Sequence, residues 1–181
     1  MNIPSPPFHP LQFIPPTQEP TILTHPITHL LITAHEPLPR GGNHWCIYLS
    51  TTTPTTSIQI DMTPSYTVPG TTNPTGSKGI MIISTQPYTT PPRATKAFRI
   101  DIHPGYKVKD LVDLLTSEGR HQYEFTSEGE GCRFWVDQVV ELIAEKGWVV
   151  DDKQVGDARE GILIKWPAGG RYGLVVGRYY D

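Results

Sequence analysis

Five runs of strand-forming residues fill the early and middle chain: ITHLLITAH, GGNHWCIYLS, SIQIDM, KGIMIIST and ATKAFRIDI. TTTPTT and QPYTTPPR separate some of them as loops, and a Pro/Thr/Gly segment over 63–77 reads as another. Short β-type runs this close together predict an antiparallel meander. The period changes after His103-Pro104-Gly105. Val108, Leu111, Val112 and Leu115 recur at helical spacing, with Gly119 as a stop. HQYEFT is a short strand. In CRFWVDQVVELIAEKGW, Phe134, Val136, Val139, Val140, Leu142 and Ile143 give a wide apolar helix face, closed by Gly147. A short helix around 155–165 and an extended finish, RYGLVVGRYY, complete the pattern. Strands first and helices after predict an α+β class, with an antiparallel sheet packed against a central helix.

Residues 1–26 break this pattern with proline every few positions. Proline fixes φ and removes a donor, so the segment is expected as an extended or disordered tail. Phe8 and Phe13 either dock on the domain or move freely. The expected organisation is a tail over 1–26 and a single domain over 27–181, since 181 residues amount to about one core.

Composition narrows the function classes. The net charge of −3 and the scattered lysines and arginines give no nucleic-acid footprint. No apolar stretch approaches the roughly 20 residues of a membrane span, and no leader pattern opens the chain. Two cysteines make no disulfide framework. A soluble, cytoplasmic protein with reduced thiols is expected.

Candidate chemistry begins at GEGCRFWVDQVVELI. Cys132 opens a helix directly after glycines. Unpaired N–H groups and the positive dipole end favour a thiolate there, and the same N–H groups suit an oxyanion. The bland reading is a small buried residue. A thiol nucleophile needs a base, usually histidine. Of seven histidines, His44 stands out at the head of NHWCIYL, while His29 and His35 flank the first strand. Alternation puts His44, Cys46 and Tyr48 on one face and Trp45, Ile47 and Leu49 on the other, a natural core face. If 44–49 and 57–62 form a hairpin, either Asp61 or Gln59 shares the His44 face, and register decides which. Asp61 would stabilise an imidazolium, whereas Gln59 would only orient the ring. Cys46 is expected as a small residue under the helix. A Cys46–Cys132 disulfide is the redox alternative, and two cysteines with one histidine leave a zinc site incomplete, so neither metal nor cofactor is expected.

NHWCIYL resembles the histidine strand, and GCRFWVDQVVELI the cysteine helix, of the lecithin:retinol acyltransferase-like proteins. Those belong to a circularly permuted papain-like group with the NlpC-type peptidases, in which the histidine strand precedes the cysteine helix. YEFTSEGEGCRFWV is similar to the stretch before that cysteine. The resemblance implies this permuted arrangement, with Cys132 as nucleophile and His44 as base. The group often carries a second histidine on the next strand, where this chain has Gln59 and Asp61. NHWCIYL, SIQIDM, GRHQYEF and GCRFWV, in that order, also resemble signature segments of a fungal family classed only as a domain of unknown function, which implies no activity.

The leading expectation is a cysteine-dependent acyl-transfer or hydrolytic enzyme acting on an amide, ester or thioester, with Asn43 or Gln59 adding a polar contact. The alternative is a non-catalytic module for a small molecule or peptide. Its cleft would use Trp45, Tyr48, Phe134 or Trp135 for packing and Arg120 or Arg133 for an anionic group.

Overall fold

The computed structural model describes residues 7–181. Its strands are β1 (11–14), β2 (29–37), β3 (43–50), β4 (57–69), β5 (77–86), β6 (96–101), β7 (123–125), β8 (164–165), β9 (170–171) and β10 (178–179). The helices are α1 (19–24), α2 (108–117), α3 (132–145) and α4 (152–162). The fold is α+β. One sheet runs in the order β10-β7-β5-β4-β3-β2-β6, with β1 added beside β5, and β8 and β9 pair separately. Strands β2 to β5 form the expected antiparallel meander, and β6 returns to the free side of β2.

Register explains the two faces of the sheet. Phe98, Ile32, Ile47, Ile60, Ile83 and Phe13 stand opposite one another in succession, forming an apolar row across six strands. Ile100, Leu30, Leu49 and Ile58 make a second row beside it. Each of these aliphatic side chains, once buried, contributes about 1.5–3 kcal/mol relative to exposure. The opposite face is polar. There Arg99, Leu31, Tyr48, Gln59 and Ser84 align, so the alternation read from NHWCIYL holds across the neighbouring strands.

Helix α3 packs on β3 and β4, α4 on β6 and α3, and α1 on α2. Val108, Leu111, Val112 and Leu115 are the buried residues of α2, as their spacing predicts. On α3 the buried set also includes Arg133 and Asp137. Asp137 is held there by Arg159 of α4, whose Nε donates at 2.8 Å and Nη2 at 3.1 Å. An ion pair thus interrupts a face that apolar spacing alone describes incompletely. Asp151 caps α4 by accepting from the Lys153 amide at 2.9 Å, which places the helix a little earlier than 155–165.

Two expectations are corrected. Residues 11–24 are not a tail: they form β1, a 3-10 turn over 16–18 and α1, and they bury Phe13 and Ile22 in the core. The prolines fit because Pro16 and Pro20 occupy early turns, where the missing N–H is not needed. β1 is an added strand alongside β5 only, so no inner ladder loses a donor. Positions 1–6 of the expected tail lie outside the described residues. The segment 63–77 is also not all loop, since β4 continues to Pro69 with a register shift between Pro64 and Pro69. Among the described residues, no helix is long and apolar enough to cross a membrane.

Candidate functional site

The first residues of β3, the middle of β4 and the start of α3 meet at one cavity of about 340 Å³. His44, Asp61, Glu130, Cys132, Tyr66 and Leu38 are among the side chains lining it. The register of β3 with β4 pairs Tyr48 with Gln59 and Ile47 with Ile60. One step further along, Asp61 comes within reach of His44: the ring Nε2 lies 2.8 Å from Asp61 Oδ1. The register thus selects Asp61 over Gln59. Gln59 instead donates from Nε2 to Cys46 Sγ at 3.4 Å and accepts from Gln86 Nε2 at 2.8 Å.

His44 has two kinds of neighbour. Asp61 takes Nε2, the Cys46 thiol lies within 4.8 Å of the ring donor and the carboxylate, and Cys132 lines the same cavity. Burial alone would lower the pKa of this imidazole. The Asp61 bond, with smaller help from the Cys132 and Cys46 thiols nearby, outweighs burial and holds it well above its ordinary 6.5. Close by, Tyr48 Oη is 3.0 Å from His35 Nε2, and the His35 and His44 rings are 6.1 Å apart. Burial, followed by repulsion from His44, pushes the His35 pKa down. His29 sits at the other end of β2 beside Thr28 and Arg99.

Cys132 takes its place from the glycines before it. Gly131 has φ +147°, and a Cβ there would meet Tyr123 Oη at 2.9 Å. That hydroxyl donates to the Gly131 carbonyl at 2.9 Å and accepts from the Gly177 amide at 3.0 Å. The bare glycine lets the tyrosine close on the turn that presents Cys132. The first intrahelical bond of α3 runs from the Trp135 amide to the Gly131 carbonyl. The amides of Cys132, Arg133 and Phe134 precede it, as the dipole argument requires.

Several residues expected to line the cleft do other work. Trp45 is fully buried on the core face and stacks with Phe98. Trp135 is fully buried and donates from Nε1 to the Arg120 carbonyl at 2.7 Å. Tyr48 is buried on the polar face of the sheet, held by His35 and packed on Tyr88. None of the three lines the cavity. Arg133 and Asn43 do line it, but their polar atoms are engaged. The Arg133 guanidinium donates to the carbonyls of Ile162, Tyr172 and Gly173 and lies over the Tyr172 ring. Asn43 donates to the His35 and Trp166 carbonyls at 2.7 and 2.8 Å and accepts from the Trp166 amide at 2.8 Å. Cys46 is not under the helix. It lies outside the apolar core, near Asp61 and His44, and burial pushes its thiol up to about 11.

Glu130 and Tyr66 are the lining residues that pattern reading passes over. Glu130 stands two positions before Cys132 in EGEGC, and its carboxylate packs against Gly41, where a Cβ would meet Oε1 at 2.7 Å. The adjacent glycines of RGGNHW are the signal for that close approach.

The profile of a family described as a domain of unknown function, DUF7770, matches residues 28–180. The chain belongs to that family. No curated protein and no solved structure matches it significantly. The DUF7770 span contains His44, Asp61, Glu130 and Cys132 of the cavity wall, and Cys46 beside them, so the site lies within the family domain. It begins after β1 and α1, which this chain adds to the sheet edge and to α2.

Proposed function

We propose that this DUF7770 domain is a cysteine-dependent acyl-transfer or hydrolytic enzyme acting on an amide, ester or thioester. The observation that carries the reading is the placement of His44: its Nε2 lies 2.8 Å from Asp61 Oδ1, and His44, Asp61 and Cys132 line one cavity. Cys132 gives its thiol proton to His44 as its Sγ attacks the substrate carbonyl and forms the S–C bond, while the early amides of α3 face the developing oxyanion. His44 delivers a proton to the leaving amine, alcohol or thiol as its bond to the acyl carbon breaks. Water or a second nucleophile then attacks the thioester, gives its proton to His44, and releases Cys132. Asp61 positions the ring and stabilises its charged form. A strand histidine preceding a helix-start cysteine also fits a circularly permuted papain-like arrangement, and we read the sheet and α3 in those terms. Trp45, Tyr48 and Trp135, the aromatics expected for a binding module, do not line the cavity.

The test is alkylation of the full chain by iodoacetamide near neutral pH, read by peptide mass spectrometry. Fast modification of Cys132, slowed at least about 10-fold in His44→Ala, is the expected result. Equal, slow labelling of both proteins overturns the reading.

A further inference from the structure

The mechanism above leaves one buried nucleophile unused. Cys46 attacks nothing, yet it sits on the polar face of β3 two residues from His44. The donor atoms of His44, Cys46 and Asp61 all lie within 4.8 Å of one another. We propose that these three side chains form a site for a zinc-class divalent metal ion, and that the ion, when bound, silences the acyl-transfer chemistry of Cys132. The metal site stands on its own geometry, whereas the silencing rests on the proposed function.

The donor set is one nitrogen, one sulfur and one carboxylate oxygen. That mixture suits Zn²⁺ and its neighbours rather than Mg²⁺ or Ca²⁺, which prefer oxygen alone. Zinc bonds of about 2.0–2.3 Å in a tetrahedron place donors about 3.3–3.7 Å apart. Starting from a spread within 4.8 Å, the three groups need to close by roughly 1 Å, and the 2.8 Å His44–Asp61 contact opens slightly to admit the ion. A thiolate and a carboxylate balance the charge of the metal, the Cys46 proton leaving to solvent.

An outer layer is already in place. Gln59 Nε2 points at Cys46 Sγ at 3.4 Å, and Gln86 fixes the Gln59 carbonyl oxygen at 2.8 Å. An amide N–H aimed at sulfur strengthens when that sulfur carries charge, as a metal-bound thiolate does. His44 and Asp61 line the cavity, so an ion reaches the site through it. A fourth position remains for water or for Cys132, which lines the same cavity as His44. Once the metal holds the imidazole, that ring no longer serves Cys132.

The probe is Co²⁺ titrated into chelator-stripped full-length protein, read by its thiolate charge-transfer absorption and by competition with Zn²⁺. Cys132→Ala is expected to bind one equivalent and to show the band. Cys46→Ala should lose the band and weaken affinity at least about 100-fold, and the near-isosteric Asp61→Asn at least about 10-fold. A Cys132→Ala protein without the band, or a Cys46→Ala protein that keeps it, overturns the site. In wild type, saturating Zn²⁺ should slow Cys132 alkylation at least about 10-fold, reversed by chelator. Unchanged labelling with Zn²⁺ bound overturns the silencing. Slow labelling of stripped protein counts against the enzyme reading instead, while the Cys132→Ala titration still decides the metal site.

Discussion

His44 and Asp61 join β3 to β4 through a 2.8 Å contact between ring Nε2 and Oδ1, with about a quarter of each side chain exposed, 26 % and 25 %. The pairing engages Nε2, and it raises the ring's affinity for a proton. His44 is held well above 6.5, because the Asp61 bond, helped by the nearby thiols, outweighs the opposing effect of burial. Replacing Asp61 with Asn removes the bond that does most to raise it. An NMR pH titration should show the His44 midpoint fall by at least about one unit in Asp61→Asn. A midpoint that does not move would contradict this assignment.

The same shift sets the sign of a stability effect. A proton held more tightly in the folded than in the unfolded chain stabilises the fold. That contribution is complete below the unfolded value, about 6.5, and fades as pH rises through the higher folded value. Urea midpoints compared across this window should show wild type losing its advantage over Asp61→Asn as pH increases. A charge-assisted hydrogen bond of this kind is worth about 1.5–3 kcal/mol, which sets the scale of the difference at low pH.

Labelling should discriminate between the two cysteines. Burial holds the Cys46 thiol up at about 11, so in native protein it stays unmodified while Cys132 reacts. The Glu130 carboxylate on the cavity wall adds a charge preference, because Arg133 spends its donors on backbone carbonyls. Cationic methanethiosulfonates should modify Cys132 several-fold faster than anionic ones, and Glu130→Gln should narrow that ratio. An unchanged ratio in the variant would assign the preference elsewhere.

Gly131→Ala tests the turn before α3. Its φ of +147° disfavours any side chain, and the new methyl would press on Tyr123 Oη. Strain of this kind costs about 1–3 kcal/mol, or a Tm lower by several degrees for a chain of this size. Cys132 alkylation should slow in the same protein, because the turn that presents the thiol has moved. Thermal melts and labelling rates measured together check both parts.

Asn43→Ala should be the more damaging change, although Asn43 only borders the cavity. Its side chain ties β3 to the His35 carbonyl and to both backbone groups of Trp166. Losing three buried bonds costs about 2–4 kcal/mol, visible as a lower urea midpoint. The corresponding leucine variant, which fills the space without the bonds, should not rescue it.

Helical spacing marked α2 and the greater part of α3, and strand alternation put His44 and Cys46 on one face. Those signals are local, so a single sequence carries them. The choice between Asp61 and Gln59 depended on the β3–β4 register, which the alternating pattern of the two strands leaves open by two residues. Arg133 reads as a cleft residue for an anionic group because its partners, the carbonyls of Ile162, Tyr172 and Gly173, lie 29 to 40 positions away. Strand alternation places Trp45 on the core face, whereas only packing shows that Trp135, in the first turn of α3, faces the core too. Proline density hid β1 and α1, since each proline occupies a position that tolerates it.

β1 carries a consequence for anyone trimming this chain. The matched family span starts at residue 28, so it invites expression from that point, yet Leu11 to Ile14 pair with Met81 to Ser84 of β5. A shortened protein would leave that stretch of β5 with bare amides and carbonyls beside uncovered apolar side chains. Such an edge recruits strands from other molecules. The shortened protein should gather into sheet-joined aggregates, and supplying residues 7–27 as a separate peptide should dissolve them.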